Sequence, residues 1–304
     1  MKLSVLLPVF NGEKTIEKTL LSLISQSYND FELVVCIDGS NDKSLQIIQQ
    51  YSNQFKTFKL LENKTNLGLG LTMNKLVNYA SGEYIAIAEQ DDFYYQNRLE
   101  LQVNFLDNNP DCGMVSGIAD FFDGEKITSQ FPGILVNNQQ YPKGKEMFFL
   151  NYKHQIKVVN SCLMIRKSIH TENGLYFSKH YPSVSVDWSY ILRFSLFSNI
   201  YGINKSLVLL DRRVDRNSIT SNKSKQHKAA RELIRSFYYE YPDIISKKDY
   251  KFAITTQDLL ELSGYKKYSF AIKFFKAFIH NPTDKRWKDY LNKKISDYKT
   301  NSIK

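Results

Sequence analysis

Three almost wholly apolar runs, each followed by a polar turn, constrain what this chain can fold into more than any other feature. Residues 3–9, 31–37 and 84–88 are dominated by Val, Leu, Ile and Ala. A strand with one wet face alternates polar and apolar side chains. A strand that does not alternate is buried on both faces, as in a parallel sheet clad in helices. The intervening segments fit that cladding. Residues 13–26 set Ile16, Leu20, Leu23 and Ile24 at helical spacing, and a second helix is expected over 44–52. A short strand over 58–61 leads to the loop Asn66-Leu67-Gly68-Leu69-Gly70, which opens a helix running to about Ala80. After Asn97 a further helix carries Leu99, Val103 and Leu106 and stops before Pro110. This β-α-β-α order with short connections predicts a doubly wound, mostly parallel α/β sheet.

Residues 112–215 are less regular, with strand-like runs at 113–118 and 161–165. From about Ser221 the chain reads as helical. There, Phe270, Phe274 and Phe278 recur every four residues with Lys273 and Lys276 beside them. Such an amphipathic helix packs on the first domain or lies on a membrane surface. With 304 residues the chain can bury one large α/β domain and an appendage. No run approaches the roughly 20 apolar residues of a membrane-spanning helix. The opening residues read as a buried strand rather than a leader, since no small-residue cleavage site follows them. Cys36, Cys112 and Cys162 have no metal-ligand spacing; two of them lie in apolar runs and read as core thiols, which fits a reducing cytoplasm.

The charge is divided along the chain. Residues 1–150 carry a net −6 and residues 151–304 a net +16. The basic half suits an acidic partner such as anionic lipid headgroups or phosphates, or is simply a solvated lysine-rich surface.

The third apolar run ends in Glu89-Gln90-Asp91-Asp92. Crowding like charges at a strand tip costs energy unless a positive charge sits among them. In an open parallel sheet ligands bind beyond the carboxyl ends of the strands. Pro8, Asn11 and Glu13 follow the first strand and Asp38 follows the second, so these residues share one rim with the acidic tip. Hard carboxylate oxygens favour Mg²⁺ or Mn²⁺ bound with a diphosphate, not zinc. A dinucleotide-binding dehydrogenase needs a glycine-rich turn after the first strand. Here that turn, Val9-Phe10-Asn11-Gly12-Glu13, has one glycine and an acid. No Walker-type lysine loop is present, and nothing suggests nucleic-acid binding.

These residues together resemble a known family. The opening from Ser4 to Glu13 resembles that of the family-2 glycosyltransferases, inverting enzymes with a GT-A fold that include bacterial capsule and O-antigen polysaccharide synthases. Cys36-Ile37-Asp38-Gly39-Ser40-Asn41-Asp42 resembles their Asp-Asp-Gly-Ser-x-Asp turn, with Ile37 in place of the first Asp. Asn66-Leu67-Gly68, Asn74 and Ala80-Ser81-Gly82-Glu83-Tyr84-Ile85 follow the family order. Glu89-Gln90-Asp91-Asp92 sits where the family has Asp-x-Asp-Asp, and Arg98-Leu99-Glu100-Leu101-Gln102 matches its Arg-Leu-x-x-Gln. The resemblance implies a GT-A domain over 1–220, with a nucleotide-sugar half (1–110) and an acceptor half (111–220), and a basic helical extension over 221–304. It implies that Asp38, Pro8, Asn11, Glu13, Asn66 and Asn74 serve a nucleotide-sugar, most simply a UDP-sugar. It implies that Asp91 is the main ligand of Mn²⁺ or Mg²⁺, that Glu89 replaces the first acid of the motif, and that Asp92 holds the loop or approaches the sugar. Val186-Asp187-Trp188, followed by Leu192-Arg193, resembles the family's catalytic-base motif, so Asp187 is the expected base, with His154 and His180 as alternatives. Leu210-Asp211-Arg212-Arg213-Val214 resembles the strand that follows, and Arg213 is a candidate for the diphosphate. Asn160-Ser161-Cys162 is expected to face the acceptor, a growing glycan that in this family is often lipid-linked. The protein would work in the cytoplasm or at the inner face of the cell membrane. The alternatives are a non-catalytic nucleotide-sugar or polysaccharide-binding protein and a sugar-nucleotide pyrophosphorylase. The latter would need a glycine-rich basic loop after the first strand.

Overall fold

The computed structural model describes residues 1–180, 185–213, 223–263 and 267–301. The chain forms two compact units: Met1–Phe148 with Ile156–Ser221, and Phe149–Gln155 with Asn222–Lys304. In chain order the first elements are β1 (Leu3–Val9), α1 (Ile16–Ile24), β2 (Phe31–Asp38), α2 (Ser44–Tyr51), β3 (Thr57–Asn63), α3 (Leu69–Tyr79) and β4 (Tyr84–Ile87). Then come β5 (Phe93–Tyr94), α4 (Arg98–Asn108), β6 (Cys112–Phe122), β7 (Ile127–Phe131), α5 (Gly133–Val136) and α6 (Lys145–His154). β8 (Met164–Arg166), α7 (Lys167–Glu172), α8 (Val186–Phe194) and β9 (Asn199–Asp211) follow. The C-terminal helices are α9 (Lys223–Glu240), α10 (Lys247–Leu262), α11 (Lys267–Phe278) and α12 (Arg286–Asn301).

The strands form one sheet in the order β3-β2-β1-β4-β8-β6-β9-β5, with β7 paired to β6. β1 runs parallel to β2 and β4, and β2 parallel to β3, which is the expected doubly wound half. β8 then enters antiparallel to both β4 and β6, whereas β6 and β9 pair in parallel over a long register. The expected strand at 161–165 is a single helical turn, Asn160–Cys162, followed by the short β8.

The two-sided burial of the apolar runs follows from the pleat, which sends alternate side chains to opposite faces. Leu3, Val5, Leu7 and Val9 of β1 join Ile16, Leu20 and Leu23 of α1 and Leu99, Val103 and Leu106 of α4 in one core. Leu6 and Val34 alternate with them and are equally buried, and on α3 Met73, Leu76 and Val77 are buried too. All three cysteines are buried free thiols. Burial pushes Cys36 up to about 11 and Cys112 up to about 12, so neither is a thiolate at neutral pH.

The second unit is helical, as expected, although Ser221 itself lies outside the described residues. Its α10 starts on a capping box in which Ser246 and Asp249 satisfy each other's backbone N–H. Arg231 of α9 grips Asp258 and Glu261 of α10, and Trp287 of α12 packs with Leu262 and Ala277.

Candidate functional site

The turns after β1 and β2 are sewn together. Asn11 takes φ 49°, a left-handed conformation that Asn tolerates better than most residues. Its N–H donates to Ser40 Oγ (3.0 Å), and its Oδ1 accepts from Asn41 N (3.1 Å). Gly12 N donates to Ser44 Oγ (2.8 Å) and Glu13 N to Asp42 Oδ2 (2.9 Å), while Glu13 Oε2 accepts from Lys43 N (3.2 Å). Burial tends to raise the Asp42 carboxyl, but the Ser44 and Glu13 donors outweigh it and hold the group below its ordinary value.

Asp38 ends β2 with a carboxylate that is only 4% exposed. Its Oδ1 accepts from Asn63 Nδ2 (2.8 Å) and Leu67 N (2.9 Å), and its Oδ2 from Gly68 N (2.9 Å). Asn66 Oδ1 accepts from the same Gly68 N–H at 2.9 Å. The next residue has to be glycine: Gly39 has φ +69°, and a Cβ there would lie 2.4 Å from Asn66 N and Thr65 C. Asp38 and Asn66 thus fix the loop that starts α3. Asn74, one turn into α3, pairs with both backbone groups of Phe177, each at 2.8 Å.

The acidic tip is a true cluster. Glu89, Asp91 and Asp92 each bring one carboxylate oxygen within 4.8 Å of the others. Glu89 and Asp91 are half-buried, and Asp92 is 1% exposed. Three converging hard oxygens, two of them reachable, fit a divalent cation of the Mg²⁺ or Mn²⁺ type. Glu89 Oε1 also accepts from Asn160 Nδ2 at 2.5 Å. Gln90 reaches the other way, to Phe10 after β1. Its Oε1 accepts from Phe10 N (2.8 Å) and its Nε2 donates to Phe10 O (3.0 Å). Beneath the loop, Glu89 N donates to the buried Tyr94 hydroxyl at 2.7 Å. Arg98, fully buried, lies 4.3 Å from the Tyr94 ring centroid and donates to the Ile87 carbonyl at 2.6 Å. Gln102, one turn on, accepts from Arg98 Nε at 3.1 Å. Arg98 thus joins the end of β4 to Tyr94, whose hydroxyl holds the Glu89 backbone.

A shallow cleft lies beyond the ends of β1 and β4. It is lined by Pro8, Leu69, Met73, Ile87, Glu89, Asn160, Phe177, Val186 and Asp187. Pro8, Glu89 and Asp187, remote in sequence, thus face one space. Asp187 lies in the first turn of α8 and is half-buried. Burial raises its carboxyl above the ordinary value, against the opposing pull of Lys157 and the N–H groups of Trp188 and Asp187. Asn11, Glu13, Asp38, Asn66 and Asn74 do not line this cleft: Asn74 holds its wall at Phe177, Asp38 and Asn66 fix the loop before Leu69, and Asn11 and Glu13 tie together the turns after β1 and β2. Arg213 folds back on Asp211, with Nη2 2.7 Å from Oδ2 and Nε 2.9 Å from the same oxygen. Val214 lies outside the described residues. His180 is exposed, and His154 belongs to the second unit, where its ring meets Phe252 at 5.0 Å.

Sequence reasoning missed Gln90 as the link to the first turn, Phe177 and Met73 as cleft walls, and Arg98 as the buried tie between Tyr94 and the end of β4. Arg98 and Gln102 did carry a signal, a polar pair one helical turn apart in an apolar stripe.

A family model described as "Glycosyl transferase family 2" matches residues 4–173. The Escherichia coli enzyme WfgD, a UDP-Glc:alpha-D-GlcNAc-diphosphoundecaprenol beta-1,3-glucosyltransferase, is 27% identical over 236 residues, covering 77% of this chain and 85% of WfgD. Other relatives match at 32–37% identity, and the matched stretches span between 42% and 63% of their length. Among solved structures, Staphylococcus aureus TarS 1–349 with UDP-GlcNAc superposes with a TM-score of 0.64 at 19% identity, covering 90% of this chain and 76% of that one. The mannosyltransferase PcManGT of Pyrobaculum calidifontis, in complex with GDP-Man and Mn²⁺, gives 0.59 at 14% identity, covering 95% and 82%. These likenesses show the fold, which is of the GT-A type.

Proposed function

The chain belongs to glycosyl transferase family 2, and from that membership and the cleft we propose that it moves a sugar from a UDP-sugar to a hydroxyl of a glycan or lipid-linked glycan, with inversion at the anomeric carbon. One observation carries the reading: Glu89, which clusters with Asp91 and Asp92 after β4, and Asp187 of α8 line the same cleft. An inverting displacement needs such a pair, a base for the attacking hydroxyl and a charged pole for the departing diphosphate.

Asp187 takes the proton of the acceptor hydroxyl as that oxygen attacks. A raised carboxyl pKa makes its anion a stronger base than a free aspartate, and its position in the wall of an apolar cleft keeps water from competing. Asp91, with Glu89 and Asp92, would hold Mn²⁺ or Mg²⁺, which when bound supplies a Lewis acid for the diphosphate. Glu89 is steadied by Asn160, so its carboxylate is aimed before any ligand arrives. Pro8 lines the donor side, while Asn11, Glu13, Asp38, Asn66 and Asn74 hold the loops that shape it. UDP-GlcNAc in TarS and the lipid-diphosphate acceptor in the name of WfgD support the donor and acceptor classes, and Mn²⁺ in PcManGT supports the metal. A lipid-linked acceptor would bring the protein to a membrane face.

The test is release of nucleoside diphosphate from a panel of UDP- and GDP-sugars with Mn²⁺ and a pool of glycan and lipid-linked acceptors. We expect turnover with a UDP-sugar, a loss of roughly 10²–10⁴-fold in Asp187→Asn, and loss of the Mn²⁺-stimulated turnover in Asp91→Ala. Full activity in Asp187→Asn removes the assigned base. Binding without release from any donor makes the chain a nucleotide-sugar-binding protein.

A further inference from the structure

Helix α11 is apolar on two opposite faces. On one, Phe270, Phe274 and Phe278 pack with Trp287, Leu262 and Ala277; the Phe274–Trp287 and Phe278–Trp287 centroids are 5.4 and 6.0 Å apart. That face accounts for the four-residue phenylalanine spacing. On the other, Ile272, Phe275 and Ile279 are 62%, 66% and 74% exposed. Ile272 and Phe275 lie three apart on the helix, and Ile279 directly follows its last residue with its N–H bonded to the Phe275 carbonyl at 3.2 Å, so these three make one stripe. A single exposed apolar side chain is ordinary, but a stripe of three large ones marks an interaction surface.

Charge identifies what the stripe meets. Residues 222–304 hold 19 Lys+Arg against 9 Asp+Glu, a net +10 that equals the whole chain's net charge and leaves residues 1–221 neutral. Lys276 is exposed at the edge of the stripe. Lys273 lies one turn from it and reaches Glu261 at 3.7 Å. A second copy of this unit would bring the same +10 toward itself and be repelled. No described helix is long and apolar enough to cross a membrane, so the stripe suits shallow contact. We propose that the outer face of α11 seats in the headgroup layer of an anionic bilayer, with Ile272, Phe275 and Ile279 entering the acyl boundary and Lys276 meeting lipid phosphate. This rests on the second unit alone and stands whether or not the cleft transfers sugar.

The experiment is co-sedimentation of the full chain with vesicles of phosphatidylcholine, with and without a third of phosphatidylglycerol. Wild type should partition onto the anionic vesicles and weakly onto the neutral ones, and added salt should release it. Phe275→Ser should weaken partitioning roughly tenfold, and the triple variant Ile272→Ser/Phe275→Ser/Ile279→Ser by roughly a hundredfold or more, since each removes apolar area from the acyl boundary. Lys276→Glu should cost roughly tenfold on anionic vesicles only. All three residues of the triple variant are exposed, so its melting temperature and helicity should match wild type. Triple-variant binding equal to wild type overturns the proposal, as does wild-type binding indifferent to lipid charge. A wild-type dimer that the triple variant dissolves also overturns it, because the stripe would then be a contact between copies.

Discussion

Replacing Asp38 by Asn separates a bracing role from a ligand-binding one. The carboxylate is 4% exposed and accepts three hydrogen bonds, from Asn63 Nδ2, Leu67 N and Gly68 N, at 2.8, 2.9 and 2.9 Å. Asn can keep its carbonyl oxygen toward Asn63 and Leu67, turning two charge-assisted bonds into neutral ones. Its amide nitrogen then faces the Gly68 N–H, donor against donor, and Gly68 retains only Asn66 as acceptor. A hydrogen bond to a charged group contributes about 1.5–3 kcal/mol and a neutral one about 1 kcal/mol, so the variant loses about 2–4 kcal/mol. Asp38→Ala strands all the donors and costs about 3–5 kcal/mol. At about 2–4 °C per kcal/mol, Asp38→Asn should melt roughly 4–16 °C lower by calorimetry without nucleotide. A loosened Leu67–Gly68 segment should also weaken UDP binding in titration. A ligand-free melting temperature within about 1 °C of wild type, with UDP binding lost, would refute the bracing argument and leave the carboxylate a purely ligand-directed role.

Other outcomes follow from the same geometry. Glu32 is 1% exposed; burial raises its carboxyl, but Lys59 at 2.8 Å, Ser4 and the Ser81 N–H outweigh that and hold it below its ordinary value. A depressed carboxyl stabilises above its unfolded pKa and loses that contribution as pH falls through its folded one. The acid destabilisation of wild type, followed by urea midpoints, should therefore be blunted in Glu32→Gln, which starts about 2–3 kcal/mol less stable at neutral pH. Asp187 has the opposite sign. Its raised carboxyl favours folding below the ordinary aspartate range and loses that contribution as pH rises through the raised value. The acid limb of kcat/KM should accordingly sit above the usual carboxylate range, and Asp187→Asn should be at least as stable as wild type at neutral pH while losing turnover. Gln90→Ala removes the paired bonds to Phe10 and should cost about 1 kcal/mol; hydrogen exchange at the Phe10 amide should quicken, and an unchanged rate would count against the link.

The first hundred residues were legible because their physics is local. Apolar runs without alternation required a parallel, helix-clad sheet, and strand ends in such a sheet are where ligands collect, so Pro8, Asp38 and the acidic tip could be set on one rim. Residues 112–211 were not, because their order depends on contacts distant in sequence. β8 is only Met164–Arg166 and is a strand by virtue of its partners β4 and β6. The wall at Phe177 exists because Asn74 holds it from 103 residues away. The roles of individual polar residues were hardest to read. Asp38 and Asn74 have the chemistry of ligand-binding groups, yet much of their hydrogen bonding goes to backbone N–H and C=O groups that burial would otherwise leave unsatisfied. The expected helix over 270–279 is present, but Phe270, Phe274 and Phe278 face inward while Ile272, Phe275 and Ile279 face outward, which periodicity alone cannot distinguish when both faces are apolar.

Arg98 beneath the acidic loop has a practical consequence. Its guanidinium supports Tyr94, which in turn holds the backbone of Glu89. The backbone of the loop is therefore anchored from beneath by the protein's own groups. Stripping the protein with a chelator should silence turnover while leaving melting temperature and circular dichroism intact. Reloading should be a simple reversible titration on a folded scaffold, unlike a zinc finger, whose metal and fold are lost together.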